Sequence, residues 1–122
     1  MRGNLIEEKS KKLAIRIVKL YVILQNERKE FVMSKQMLRS GTSIGANIYE
    51  ATYAESRADL IHKYSISQKE CSETIYWIDL LYSTDFISEK EFTSINQDCV
   101  EVLKLLTTSI LSLKKNPSPH NI

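Results

Sequence analysis

Both prolines of this 122-residue chain, Pro117 and Pro119, fall in its last six residues. Everything before them lacks the one residue that breaks a helix outright. Glycine is also scarce, with 3 in the whole chain, so the many tight turns of a β fold have few residues to make them. An all-α fold is expected, and the length suits a single domain able to bury a core without staples. Residues 1–115 are assigned to the fold and 116–122, with no apolar face, to a flexible C-terminal tail.

Apolar spacing divides the chain into four helices. Leu13, Ile17, Leu20 and Leu24 recur at helical intervals on a first helix from about Leu5 to Arg28, with Ala14, Val18 and Tyr21 widening the stripe. The second starts after Ser34 as its cap, with Met33 and Leu38 as a staple, and runs unbroken to residue 54 through Met37, Gly41, Ile44, Ile48 and Ala51. Ser56 with Asp59, and Ser88 with Glu91, read as capping boxes opening the third and fourth. Leu60, Tyr64, Ser67, Cys71, Thr74 or Ile75, Ile78 and Leu81 mark the third inward seam, and Ile95, Cys99, Val102, Leu106, Ile110 and Leu113 the fourth. Three short connections favour antiparallel neighbours in an up-down-up-down four-helix bundle.

The stretch "MLRSGTSIGANIYEA", residues 37–51, raises the alternative of a phosphate loop. Such a loop needs a strand before it and Gly-Lys-Ser/Thr at its end, whereas Gly45 is followed by Ala46 and Asn47. Two glycines inside a helix cost about 1 kcal/mol each relative to alanine. Gly41 and Gly45 lie four apart on one face, so close approach of a neighbouring helix is the expected compensation. Asn47 and Glu50, on the same helix, are expected to hydrogen-bond near helix ends or subunit contacts.

Little in the sequence suggests an enzyme. Asp59-Leu-Ile-His62 is the one near miss to a di-metal bundle motif, without a second copy, and His120 lies in the tail. No Cys-x-x-Cys, no His-Glu-x-x-His and no nucleophile elbow occurs. No catalytic residue, metal site or cofactor is expected. Arg16 and Lys19 interrupt the best apolar segment, so no membrane span is expected. The charged N-terminus and the two cysteines, Cys71 and Cys99 on inward faces, fit an intracellular, cytoplasmic protein with free thiols.

Two surfaces stand out. Lys9, Lys12, Arg16 and Lys19 cluster on one side of the first helix, and Arg28, Lys29, Lys35 and Arg39 extend the basic run around the first connection. They read either as a solvated face or as a track for nucleic-acid phosphates, with little sequence preference and strong salt dependence. On the third helix Ile66, Glu70, Glu73 and Trp77, at spacings of 4, 3 and 4, form a second stripe away from the inner seam. This stripe is read as an oligomer interface.

The runs "KQMLRSGTSIGANIYEA" and "DLIHKYSISQKECSETIYWIDLL" resemble the four-helix bundle family named for a protein encoded in intervening sequences of bacterial 23S rRNA genes. The likeness spans nearly the whole chain and is strongest over 35–82. Glu50-Ala51 stands where many relatives have Glu-Gly. The resemblance implies a small homo-oligomer, often a pentamer. A related branch, the accessory proteins of diversity-generating retroelements, binds nucleic acid and a reverse transcriptase. The partners it brings into view are copies of the chain itself, RNA or DNA, and a reverse transcriptase or other protein. The expected function is a non-enzymatic homo-oligomer that binds nucleic acid nonspecifically through the basic stripe, and the alternative is an assembly or adaptor module that makes no nucleic-acid contact.

Overall fold

The computed structural model describes residues 2–115, with side chains from residue 5 onward. Every regular element among them is a helix: α1 (Arg2–Asn26), α2 (Met33–Ala51), α3 (Arg57–Ser83) and α4 (Glu89–Lys115). Each helix packs on its two neighbours, while the backbones of the diagonal pairs α1–α3 and α2–α4 are not neighbours. Contacts run in opposite directions along each pair. Gly41 and Gly45 of α2 face Ile17 and Ser10 of α1, and Ser40 and Ile44 of α2 face Thr74 and Ser67 of α3. The fold is the up-down-up-down bundle expected from the spacing. The segment assigned as a tail lies outside the described residues.

One core fills the centre. Leu13, Ile17 and Leu24 from α1, Met37, Ile44 and Ile48 from α2, Cys71, Ile78 and Leu81 from α3, and Cys99, Val102 and Leu106 from α4 are all essentially inaccessible. Buried hydroxyls of Thr74 and Ser67 are satisfied within it. The Thr74 hydroxyl donates to Ser40 Oγ at 2.8 Å, and Ser67 Oγ donates to the Ile44 carbonyl at 2.9 Å, joining α2 to α3. Burial pushes the Cys71 thiol up to about 12 and raises Cys99 as well, so both stay protonated and inert.

Helix starts follow local chemistry. At α4 the box is reciprocal, the Glu91 amide donating to Ser88 Oγ and the Ser88 amide to Glu91 Oε1. At α3 the Asp59 amide donates to Ser56 Oγ, and the Asp59 carboxylate takes the amide of Glu55. The start of α2 differs from expectation. The helix opens at Met33, so Ser34 lies inside the first turn, and the cap comes from Glu30. Its carboxylate accepts the amides of Val32, Met33 and Ser34 at 3.1, 3.0 and 2.7 Å. A carboxylate satisfies several orphan amides and complements the helix dipole, which one hydroxyl cannot do. Burial pushes the Glu30 carboxyl up, and the three amides outweigh it, leaving its pKa below the ordinary value.

α2 also ends sooner than expected, at Ala51. The amides of Tyr53 and Ala54 turn back to Glu50 and Ala51 carbonyls in a tighter turn before the Ser56 cap. The stretch 37–51 is nonetheless helical from end to end, and no loop wraps an anion there.

Candidate interaction surfaces

The two glycines of α2 play different parts. A Cβ at Gly41 would sit 2.8 Å from Ile17 Cγ2, a clash with a side chain that is itself fully buried. Gly41 is therefore the close-approach point between α1 and α2. A Cβ at Gly45 would meet Ser10 at 3.5 Å, an ordinary contact, so shape alone does not require that glycine. Gly45 instead lines a cleft of about 440 Å³ between α1 and α2, together with Ser10, Ala14, Thr42 and Ala46. Asn47 donates from Nδ2 to the Ser43 carbonyl of its own helix at 2.9 Å, and Glu50 accepts from Lys63 Nζ at 3.0 Å.

The eight basic residues singled out from sequence divide evenly. Lys9 pairs with Glu101 at 3.3 Å, and Arg16 with Asp98 at 2.6 Å while also reaching Ser94. Arg28 meets both Glu91 oxygens, at 3.0 and 2.7 Å, and donates to the Phe86 carbonyl. Lys9 and Arg16 fasten α1 to α4, and Arg28 fastens the connection after α1 to the start of α4. Arg39 forks onto Glu70 and Glu73 and fastens α2 to α3. The Arg28 hydrogen bond holds the Glu91 carboxyl down at about 2, against the opposing effect of burial. The other four, Lys12, Lys19, Lys29 and Lys35, are exposed and make no ion pair among the described residues.

The α3 stripe lies on the flank facing α2 and is already engaged. Glu70 and Glu73 hold Arg39, and Trp77 donates from Nε1 to Glu73 at 2.9 Å while its ring packs on the core. Ile66 is half-buried. Arg39 first, and Trp77 second, keep the Glu73 carboxyl below its ordinary pKa. His62 is exposed on α3, and the described residues contain no cluster of three metal-ligating side chains. No helix among them is long and apolar enough to cross a membrane.

The outward face of α1 escaped the sequence reading. Ile15, Val18 and Val22 are 46%, 43% and 47% exposed, opposite the inner seam, with Lys11, Lys12 and Lys19 around them. Val18 does not widen the inner stripe; it belongs to a second apolar stripe pointing away from the core. The signal was present as spacings of 3 and 4 across residues 15, 18 and 22. Beside it, across the α1–α2 cleft, Tyr49 and Tyr53 are exposed and meet edge to face, centroids 5.8 Å apart.

Comparison with known proteins adds the relationship. A family model described as 23S rRNA-intervening sequence protein matches residues 3–108. Among solved structures, the chain is similar to a protein of unknown function of the S23 ribosomal protein family from Bacteroides thetaiotaomicron. The two are 55% identical with a TM-score of 0.90, over 91% of this chain and 99% of that one. No curated protein matches.

Proposed function

The chain belongs to the 23S rRNA-intervening sequence protein family, and on that premise we propose that it is a non-enzymatic, self-associating assembly module. Copies join through outward helix faces, and the assembly presents its remaining surface to a larger partner. One observation carries the reading: Ile15, Val18 and Val22 keep more than two-fifths of their surface exposed on a single helix face. Contiguous exposed apolar surface on a well-packed domain marks an interaction site. Half of the basic residues that could have tracked phosphates are instead spent on ion pairs within the chain. Sedimentation velocity at micromolar concentration tests the proposal. A species several times the 14.1 kDa of the chain is expected, five times that mass for the pentamer that the resemblance brings in. A monomer throughout the range refutes it.

Nucleic-acid binding is the second reading, favoured by the exposed cations Lys12, Lys19, Lys29 and Lys35. An oligomer multiplies those charges, and the resulting field would draw RNA or DNA with little sequence preference. Gel shifts of duplex DNA and structured RNA at two salt concentrations, with the four lysines neutralised in a control, separate the readings. Binding that vanishes with the lysines and weakens with salt favours nucleic acid. No binding at low salt leaves a protein, such as a reverse transcriptase, as the larger partner.

A further inference from the structure

Resting on the self-association proposed above, we infer that copies join head to tail, the outward face of α1 of one copy seating on the outward face of the C-terminal half of α3 of the next. Of the two, α1 contributes the apolar surface. Ile15, Val18 and Val22 lie on the outward face, and Lys11, Lys12 and Lys19 around them make no ion pair among the described residues. Glu8 lies a turn from Lys11 and Lys12, whereas no carboxylate lies within a turn of Lys19 on α1.

The complement lies on the far side of the same molecule. On α3, Tyr76 is 56% exposed and stands between exposed Ser72 and Asp79, with Ser83 and Asp85 following. Asp79 and Asp85 make no ion pair among the described residues. Lys69 is exposed one turn before Ser72, at the N-terminal edge of this patch. An aromatic knob with the Asp79 carboxylate beside it matches an aliphatic stripe flanked by ammonium groups in both polarity and charge.

Placement supports the pairing. α1 and α3 are diagonal in the bundle, their backbones not neighbours across it, so their outward faces look in opposite directions. A contact between two different faces on opposite sides is heterologous, and its repetition closes a ring or builds a filament. Packing α1 against another α1 would bring Lys11, Lys12 and Lys19 together with their own copies, a repulsive arrangement. Of the residues read from sequence as the interface, Glu70, Glu73 and Trp77 are held in contacts inside the chain, and Ile66 is half-buried.

Sedimentation velocity of variants tests this surface. Val18→Asp and Tyr76→Ala alter exposed positions on opposite sides, and circular dichroism verifies that each still folds. Each is expected to raise the dissociation constant roughly tenfold or more, as loss of a central interface side chain does. Lys19→Glu is expected to weaken assembly, and adding Asp79→Lys in the same chain to restore it, because every contact then carries the swapped pair. A wild-type monomer refutes the self-association itself. A wild-type oligomer that Val18→Asp leaves unchanged refutes the α1 surface alone. A Lys19→Glu, Asp79→Lys chain as weak as Lys19→Glu refutes its pairing with α3.

Discussion

Helix α1 is held on its two flanks by different physics. Toward α2 the fit is one of shape: Ile17 lies where a Cβ on Gly41 would have to be, and no charge is involved. Toward α4 the packing is the sparsest of the four seams, and Lys9 and Arg16, with Arg28 just past the helix end, tie it to Glu101, Asp98 and Glu91. Dispersion and apolar burial on the first flank carry no charge to screen or titrate. Charge pairs on the second, each a third or more exposed on at least one partner, are open to screening and titration. The difference shows that one helix can be fixed firmly along one edge and adjustably along the other.

Overfilling the shape-fitted flank has the largest expected effect. Gly41→Leu forces a branched side chain against buried Ile17 and is expected to cost about 3 kcal/mol in urea unfolding. Ile17→Ala in the same chain opens room, so the double variant recovers part of the loss beyond additivity. If Gly41→Leu leaves the unfolding midpoint where it was, the two flanks do not differ in the way described.

The contrast between the flanks also explains what sequence could reveal. The capping boxes at Ser56 and Ser88 were readable because donor and acceptor lie within four residues. The α2 cap was not, since its carboxylate belongs to Glu30, upstream of the Ser34 that carries the usual signature. Gly41 announced a close approach, but its equivalence with Gly45 broke down because the partner at one site is a β-branched side chain and at the other a serine. The basic residues were visible, whereas the acids of Arg16 and Arg28 lie more than sixty positions away on α4 and those of Arg39 more than thirty away on α3, beyond any local pattern. The outward stripe of α1 was hidden for another reason. A helix apolar on two faces has two possible cores, and only its neighbours decide between them.

Acid should loosen the charged flank selectively. Glu91 has a folded pKa of about 2 against an ordinary 4.5, held down chiefly by Arg28. A depressed carboxylate stabilises the fold above its unfolded pKa, and that contribution fades as pH falls from 4.5 toward 2. Glu30, lowered by its three amides, adds to the same loss. Arg28→Ala or Glu91→Gln is expected to cost about 1 kcal/mol at neutral pH, allowing for solvent screening of a partly exposed pair. The gap between wild type and Glu91→Gln in thermal melts should narrow steadily on acidification. A gap that stays constant from neutral pH into that window would show that the ion pair contributes nothing.

The smallest effect returns to the shape-fitted flank, at its looser end. At Gly45 an added methyl finds Ser10 at ordinary contact distance, so alanine meets no obstacle. Alanine restricts the unfolded chain and favours helix, and Gly45→Ala is expected to raise stability by about 0.5 kcal/mol. The sign matters more than the size. A gain, set against the large loss at Gly41, shows that steric fit along the α1–α2 edge is concentrated at one residue, with the cleft beginning a turn beyond it. A loss at Gly45 would mean instead that the close contact extends along the whole edge, and the cleft between Ala14 and Tyr49 would be narrower in solution than its 440 Å³.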